Sequence, residues 1–143
     1  MTATELAVER ALRDLALRQR YVNSRDLAKE ACVKAGLAQE NGHSWRAAGN
    51  YAGMVAGYLD RRRQGSDAGR RPRSQSNYLS EQQKADIYRV ASAAAFRFMH
   101  LLRLTGGPVG TNIEGATILK LIELPEAPAS RAPRERLSDL AAA

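Results

Sequence analysis

Apolar residues recur at intervals of three and four along four stretches of the chain, which is the spacing of one buried face of a helix. Thr2 with Glu5, and Ser80 with Gln83, have the spacing of a capping box at the start of the first and the last of these stretches. The pattern predicts a mainly α fold, with helices over residues 2–20, 23–36, 44–62 and 80–105.

The two middle helices begin at residues that cap helices well. Asn23 or Ser24 caps the second helix, Gly36 ends it in a left-handed conformation, and Ser44 caps the third. The spacing in the third helix predicts a buried stripe made of Trp45, Ala48, Ala52, Val55 and Leu59.

Three glycines, Gly49, Gly53 and Gly57, lie inside the third predicted helix. Each costs about 1 kcal/mol of helix stability relative to alanine, so something must approach the helix backbone closely enough to compensate. Another helix or a nucleic-acid backbone could be that neighbour, and helix packing is the commoner explanation.

The chain after the fourth helix has two parts. Residues 113–124 are apolar and β-branched without clean alternation, and Thr111 with Glu114 also fits a capping box, so the pattern allows either a strand or a helix. Residues 125–143, with Pro128, Pro133 and many alanines, are typical of a disordered tail.

Positive charge is concentrated between residues 60 and 80. The 143 residues carry a net charge of +7, and six arginines against two aspartates place more than half of that excess in this short stretch. Its glycines, Pro72 and serines predict a loop or a mobile hairpin. Because arginine is the preferred ligand of phosphate and of base edges, the pattern favours a nucleic acid as the partner, with a solvated linker as the alternative.

The residues that enzymes, metals and cofactors need are not grouped in this sequence. The glycine-rich stretch 106–111 lacks the lysine of a phosphate-binding loop, His43 and His100 lie far apart, and Cys32 is the one cysteine. We therefore expect no catalysis, no metal and no cofactor, and Cys32 as a small buried apolar residue. The N-terminus lacks the pattern of a signal peptide and charged residues interrupt the most apolar stretch, so we expect a cytoplasmic protein that does not enter a membrane.

Residues 23–63 resemble a helix-turn-helix, in which a capped helix carrying Leu27 and Ala28 is followed by a turn and by a helix that opens with Ser44-Trp45-Arg46. The basic stretch 59–80 lies where winged-helix proteins carry their wing, and the long turn favours a winged or otherwise modified version. The resemblance implies a DNA-binding region over residues 1–80, a segment 81–124 that completes the core or dimerises, and a tail over 125–143.

By this resemblance the third helix enters the major groove of double-stranded DNA and the arginine-rich stretch contacts the backbone or the minor groove. Arginine pairs with guanine and asparagine with adenine, and a spacing of four keeps both on one helix face. The base-reading residues are then Ser44, Arg46 and Asn50, and the backbone or minor-groove residues are Arg61, Arg62, Arg63, Arg70, Arg71 and Arg73.

The last four residues, Leu140, Ala141, Ala142 and Ala143, resemble the Leu-Ala-Ala end of the bacterial tmRNA tag, which host proteases recognise. An alanine run in a GC-rich genome is the alternative explanation. A small basic helix-turn-helix protein with such an end is similar in outline to the immunity repressors of temperate phages of actinobacteria. That resemblance implies a sequence-specific transcriptional repressor whose abundance is set by degradation.

The sequence also allows partners other than DNA. The fourth helix has apolar residues on two sides, so it is either buried in the core or shared with a second copy of the chain. The main alternative is that the chain is a small phage or plasmid protein that binds a host protein. An exposed apolar patch at Phe96, Met99 and Leu104 would favour this alternative. RNA binding and membrane-surface binding are less favoured. A homodimer would form through Ile87, Phe98, Leu101 and Leu102.

Overall fold

The computed structural model describes residues 1–38, 42–65, 67–106 and 111–123. Helices account for most of these residues, as the periodicity predicts. In chain order the elements are α1 (Ala3–Arg18), β1 (Tyr21–Asn23), α2 (Ser24–Lys34), α3 (His43–Arg63), α4 (Glu81–Leu104), β2 (Asn112–Glu114) and α5 (Gly115–Glu123).

Local capping signals start three of the helices where the sequence predicts them. Thr2 and Ser80 form complete capping boxes, and the side chain of Asn23 accepts a hydrogen bond of 2.9 Å from the backbone N–H of Asp26. The prediction for Ser44 is wrong, because α3 begins at His43 after Gly42, which has a φ of 94° and makes no side-chain cap.

A two-stranded antiparallel sheet joins β1, which follows α1, to β2, which precedes α5. Val22 lies opposite Ile113, and both side chains are buried. Tyr21 and Val22, which lie between the first two predicted helices, are part of the strand β1. For residues 113–124 the sequence allows either a strand or a helix. The described part of this range contains both, since the strand β2 leads directly into the helix α5.

The helix α2 lies at the centre of the fold and packs against α1, α3 and α4. One apolar core is shared by α1 to α4 and by both segments after α4, so Ile113 and Ile118 belong to it together with Leu27. Cys32 is fully buried in this core, as expected, and burial raises the pKa of its thiol to about 12.

The glycines of α3 face another helix. A Cβ atom added to Gly53 would lie 3.3 Å from Cε of Lys29, and one added to Gly57 would lie 2.9 Å from Nη2 of Arg25. Both contacts come from the ends of flexible side chains of α2, so α2 is the helix that packs against Gly53 and Gly57. Trp45 does not join the buried stripe of α3, because 40% of its surface is exposed.

The residues proposed for a homodimer interface lie inside the chain. Ile87, Phe98 and Leu101 are at most 1% exposed, and Leu102 is partly buried against the same core. This interface prediction is therefore wrong, because the side chains of α4 that it needs already pack against the other helices. Within the described residues, no helix has the length and apolar character needed to cross a membrane.

Candidate nucleic-acid interface

One row of exposed side chains runs along α3. Arg46 and Asn50 are both exposed, and their spacing of four places them on the same helix face. Gly53 and Gly57 are not part of this row, because both are buried against α2. The row continues instead through Met54, which the sequence analysis missed although its position, four residues after Asn50, was a usable signal.

Residues 67–80, which we call the arm, lie across α3 and α4. The hydroxyl of Tyr51 in α3 donates a hydrogen bond of 3.3 Å to the carbonyl oxygen of Pro72. Burial raises the pKa of the Tyr51 phenol, while Arg71 acts in the opposite direction, so the phenol keeps its proton at neutral pH.

Three further contacts hold the arm. The guanidinium of Arg71 lies 4.0 Å from the ring centroid of Tyr88 in α4. The ring of Tyr78 stacks on His43 with the centroids 4.7 Å apart, and Leu79 is buried in the core. Residues 67–80 contain no strand, so of the two predicted forms the arm is the loop and not a β-hairpin.

The arm and α3 together line an open groove. Arg46, Asn50 and Met54 contribute from α3, and Arg73 and Gln75 contribute from the arm, with the stacked rings of His43 and Tyr78 also in the lining. The fold thus brings Arg46, Asn50 and Arg73, which the sequence analysis placed in two separate groups, to one surface.

The other predicted residues lie outside this groove. Ser44 is exposed in the first turn of α3, and Arg70 and Arg71 are exposed in the arm. The last turn of α3 carries three exposed arginines, each with a different neighbour. Nη1 of Arg62 donates a hydrogen bond of 3.2 Å to the hydroxyl of Tyr58, and Arg61 adjoins Gly57. The guanidinium of Arg63 lies 5.8 Å from the ring centroid of Phe96.

The arginines of α3 and of the arm form no ion pairs within the described residues. In the described part of the chain, no carboxylate lies within 4.0 Å of Arg46, of the three arginines ending α3 or of the three in the arm. The acidic groups pair elsewhere, for example Asp14 with Lys34 at 2.7 Å between α1 and α2. That ion pair lowers the pKa of Asp14 and raises the pKa of Lys34.

A partly buried polar contact joins the start of α2 to the end of α3. The hydroxyl of Ser24 donates a hydrogen bond to Oδ2 of Asp60. Burial of this carboxylate raises its pKa, an effect that the hydrogen bond from Ser24 and the charges of Arg25 and Arg61 only partly offset. Asp60 therefore helps to set the position of α3 but carries a desolvation cost when it is ionised.

We expect Asp60→Asn to change how stability depends on pH. The folded protein holds the Asp60 proton more tightly than the unfolded chain, so the stability that this proton contributes is present below about pH 4 and is lost as the pH rises through the raised pKa. Urea unfolding across this range should show the wild type losing stability with pH relative to the variant. A difference that stays constant with pH would contradict the burial of this carboxylate.

A second groove lies on the other side of the Arg46 and Asn50 row. It is lined by these two residues, by the exposed ring of Trp45 and by Lys29 and Glu30 of α2. Among the residues that the structure describes, no three His, Cys, Asp or Glu side chains are grouped so that they could hold a metal ion.

The predicted tail 125–143, including the four residues Leu140 to Ala143, lies outside the described residues. Comparison with known proteins finds no matching family model, no matching curated protein and no matching solved structure. A functional assignment therefore rests on the residues and geometry of the interface.

Proposed function

We propose that this protein is a sequence-specific DNA-binding regulator that places the exposed row of α3 in the major groove of double-stranded DNA. The observation that carries the proposal is the groove in which Arg46, Asn50 and Arg73 come together from α3 and the arm. Arginine and asparagine are the side chains that pair in a bidentate way with guanine and adenine, at about 1–3 kcal/mol of discrimination each.

The arm supplies the contacts to the DNA backbone. Arg71 lies over the ring of Tyr88 and is exposed, so its guanidinium can be held by the ring and still reach a phosphate. Because Tyr51, Tyr88 and His43 already hold the arm on the protein, less conformational entropy is lost when it meets DNA. Arg61, Arg62, Arg63 and Arg70 are further exposed arginines that can contact the DNA backbone.

A repressor of the type found in temperate phages is the finer form of the proposal. It follows from the resemblance to phage immunity repressors stated above. In this form the protein acts by occupying an operator, so base-selective binding is the property to measure first.

The test selects duplexes from a randomised pool at about 0.15 M salt, where binding to phosphates alone is weak. We expect one sequence to be enriched. Arg46→Ala and Asn50→Ala should each lower affinity for that sequence by about 1–3 kcal/mol and leave binding to shuffled duplex almost unchanged. Arg10→Ala removes an exposed arginine from α1, outside the groove, and serves as the control.

The same duplex tests the arm through the salt dependence of binding. The double variant Arg71→Ala with Arg73→Ala should reduce the slope of log affinity against log salt by about 2, since each phosphate contact contributes about 0.9. If Arg46→Ala lowers affinity equally for all duplexes, Arg46 does not read a base. If the double variant leaves the salt slope unchanged, the arm does not contact DNA.

The alternative function, binding of a host protein, has one observation in its favour. Phe96 and Leu104 of α4 are about half exposed, although Met99, the third member of the expected patch, is buried. Failure to enrich any duplex, together with capture of a partner that depends on Phe96, would favour this alternative.

A further inference from the structure

The exposed row of α3 ends on an apolar side chain that the fold does not use. From Tyr51 to Leu59 every residue of α3 is buried except Met54, which is 48% exposed. Met54 lines the same groove as Arg46 and Asn50 and lies four residues beyond Asn50. An unbranched thioether side chain thus stands in line with the two proposed base-reading residues.

We infer that Met54 is a third specificity-determining residue and that it recognises the C5 methyl group of a thymine in the major groove. This inference rests on the proposed function and deepens it. Thymine alone among the four bases presents a methyl group in the major groove, and apolar side chains are its usual contact. The arginines beside Met54 in the groove favour DNA over an apolar protein segment as the occupant.

The spacing of the row sets the order of the bases. Four helical residues advance by about 6 Å, so Met54 lies about 12 Å along α3 from Arg46. Base pairs stack about 3.4 Å apart, so this distance covers at most three to four base-pair steps, and fewer when the helix crosses the groove at an angle. The preferred site should therefore contain a guanine read by Arg46, an adenine read by Asn50, and a thymine within about four steps of the guanine.

The experiment replaces each thymine of the selected duplex in turn by deoxyuridine, which lacks only the methyl group. For the wild type, one replacement should weaken binding about fourfold, the factor that corresponds to the burial of one methyl group. Met54→Ala should bind the thymine duplex more weakly by a similar factor and should not distinguish thymine from uracil. Met54→Leu, which keeps an apolar side chain, should retain the distinction.

Leu104→Ala is the matched control, because it removes an exposed apolar side chain of similar size from α4 and should change neither affinity. If the selected site contains no such thymine, or if Met54→Ala responds to the methyl group as the wild type does, the inference is wrong while base reading by Arg46 and Asn50 still stands. If no duplex is enriched by the wild type, the proposed function fails and the inference fails with it.

Discussion

Replacement of Phe98 by alanine is expected to lower the free energy of unfolding by about 3–5 kcal/mol. Phe98 is 1% exposed and is among the largest fully buried side chains of the core. Its removal loses the transfer free energy of the ring and leaves a cavity that α4 and its neighbours can fill only in part. A loss of this size is a large share of the stability of a typical small domain.

The other phenylalanine of the chain is a matched control. Phe96 lies two residues earlier on α4, is 48% exposed, and has the guanidinium of Arg63 over its ring as a cation–π contact. Such exposed contacts contribute about 0.5–1 kcal/mol, so Phe96→Ala should cost no more than about 1 kcal/mol. Chemical denaturation of both variants, followed by circular dichroism, measures the difference. If both variants lose the same free energy of unfolding, the difference in burial between Phe98 and Phe96 is contradicted.

This pair of variants also bears on oligomer formation. The predicted homodimer needed Phe98 at a surface, where its replacement would weaken association and leave the isolated chain folded. Because Phe98 is buried within one chain, we expect its effect on unfolding to be independent of protein concentration.

Helices with local signals could be predicted from the sequence. Thr2, Asn23 and Ser80 act as caps because their partners lie three residues away, and Gly36 adopts a φ of 76° directly after α2. The third helix shows the limit of such signals, because Ser44 has the right chemistry for a cap but Gly42 already turns the chain into the helix.

Features that depend on distant partners could not be predicted. Val22 and Ile113 pair across most of the chain length, and three residues are too short to show the alternation of a strand. The arm has a loop composition, and its position is set by aromatic residues outside it, Tyr51, Tyr88 and His43. The groove lies where α3 and the arm meet, so Arg46 and Asn50 could be found by residue type whereas their proximity to Arg73 could not.

The packing of α5 against α1 depends on one residue without a side chain. Gly115 begins α5, and its N–H donates a hydrogen bond of 2.8 Å to the carbonyl oxygen of Arg20. A Cβ atom at this position would lie 2.5 Å from the carbonyl oxygen of Ala16 and would also meet that of Gln19. Both obstacles are backbone atoms at the end of α1, which cannot move aside as the tip of a side chain can.

Gly115→Ala is therefore expected to destabilise the protein by about 3 kcal/mol, the upper end of the usual cost of overpacking. Gly49→Ala is the matched control, because its added Cβ would meet only Cγ of Lys29 at 4.0 Å, an ordinary contact. Within α3 that change should stabilise the protein by about 0.5–1 kcal/mol. Urea midpoints that shift in opposite directions would support the close approach of α5 to α1. A Gly115→Ala variant as stable as the wild type would mean that α5 does not pack there, and that Ile118 then enters the core from a different position.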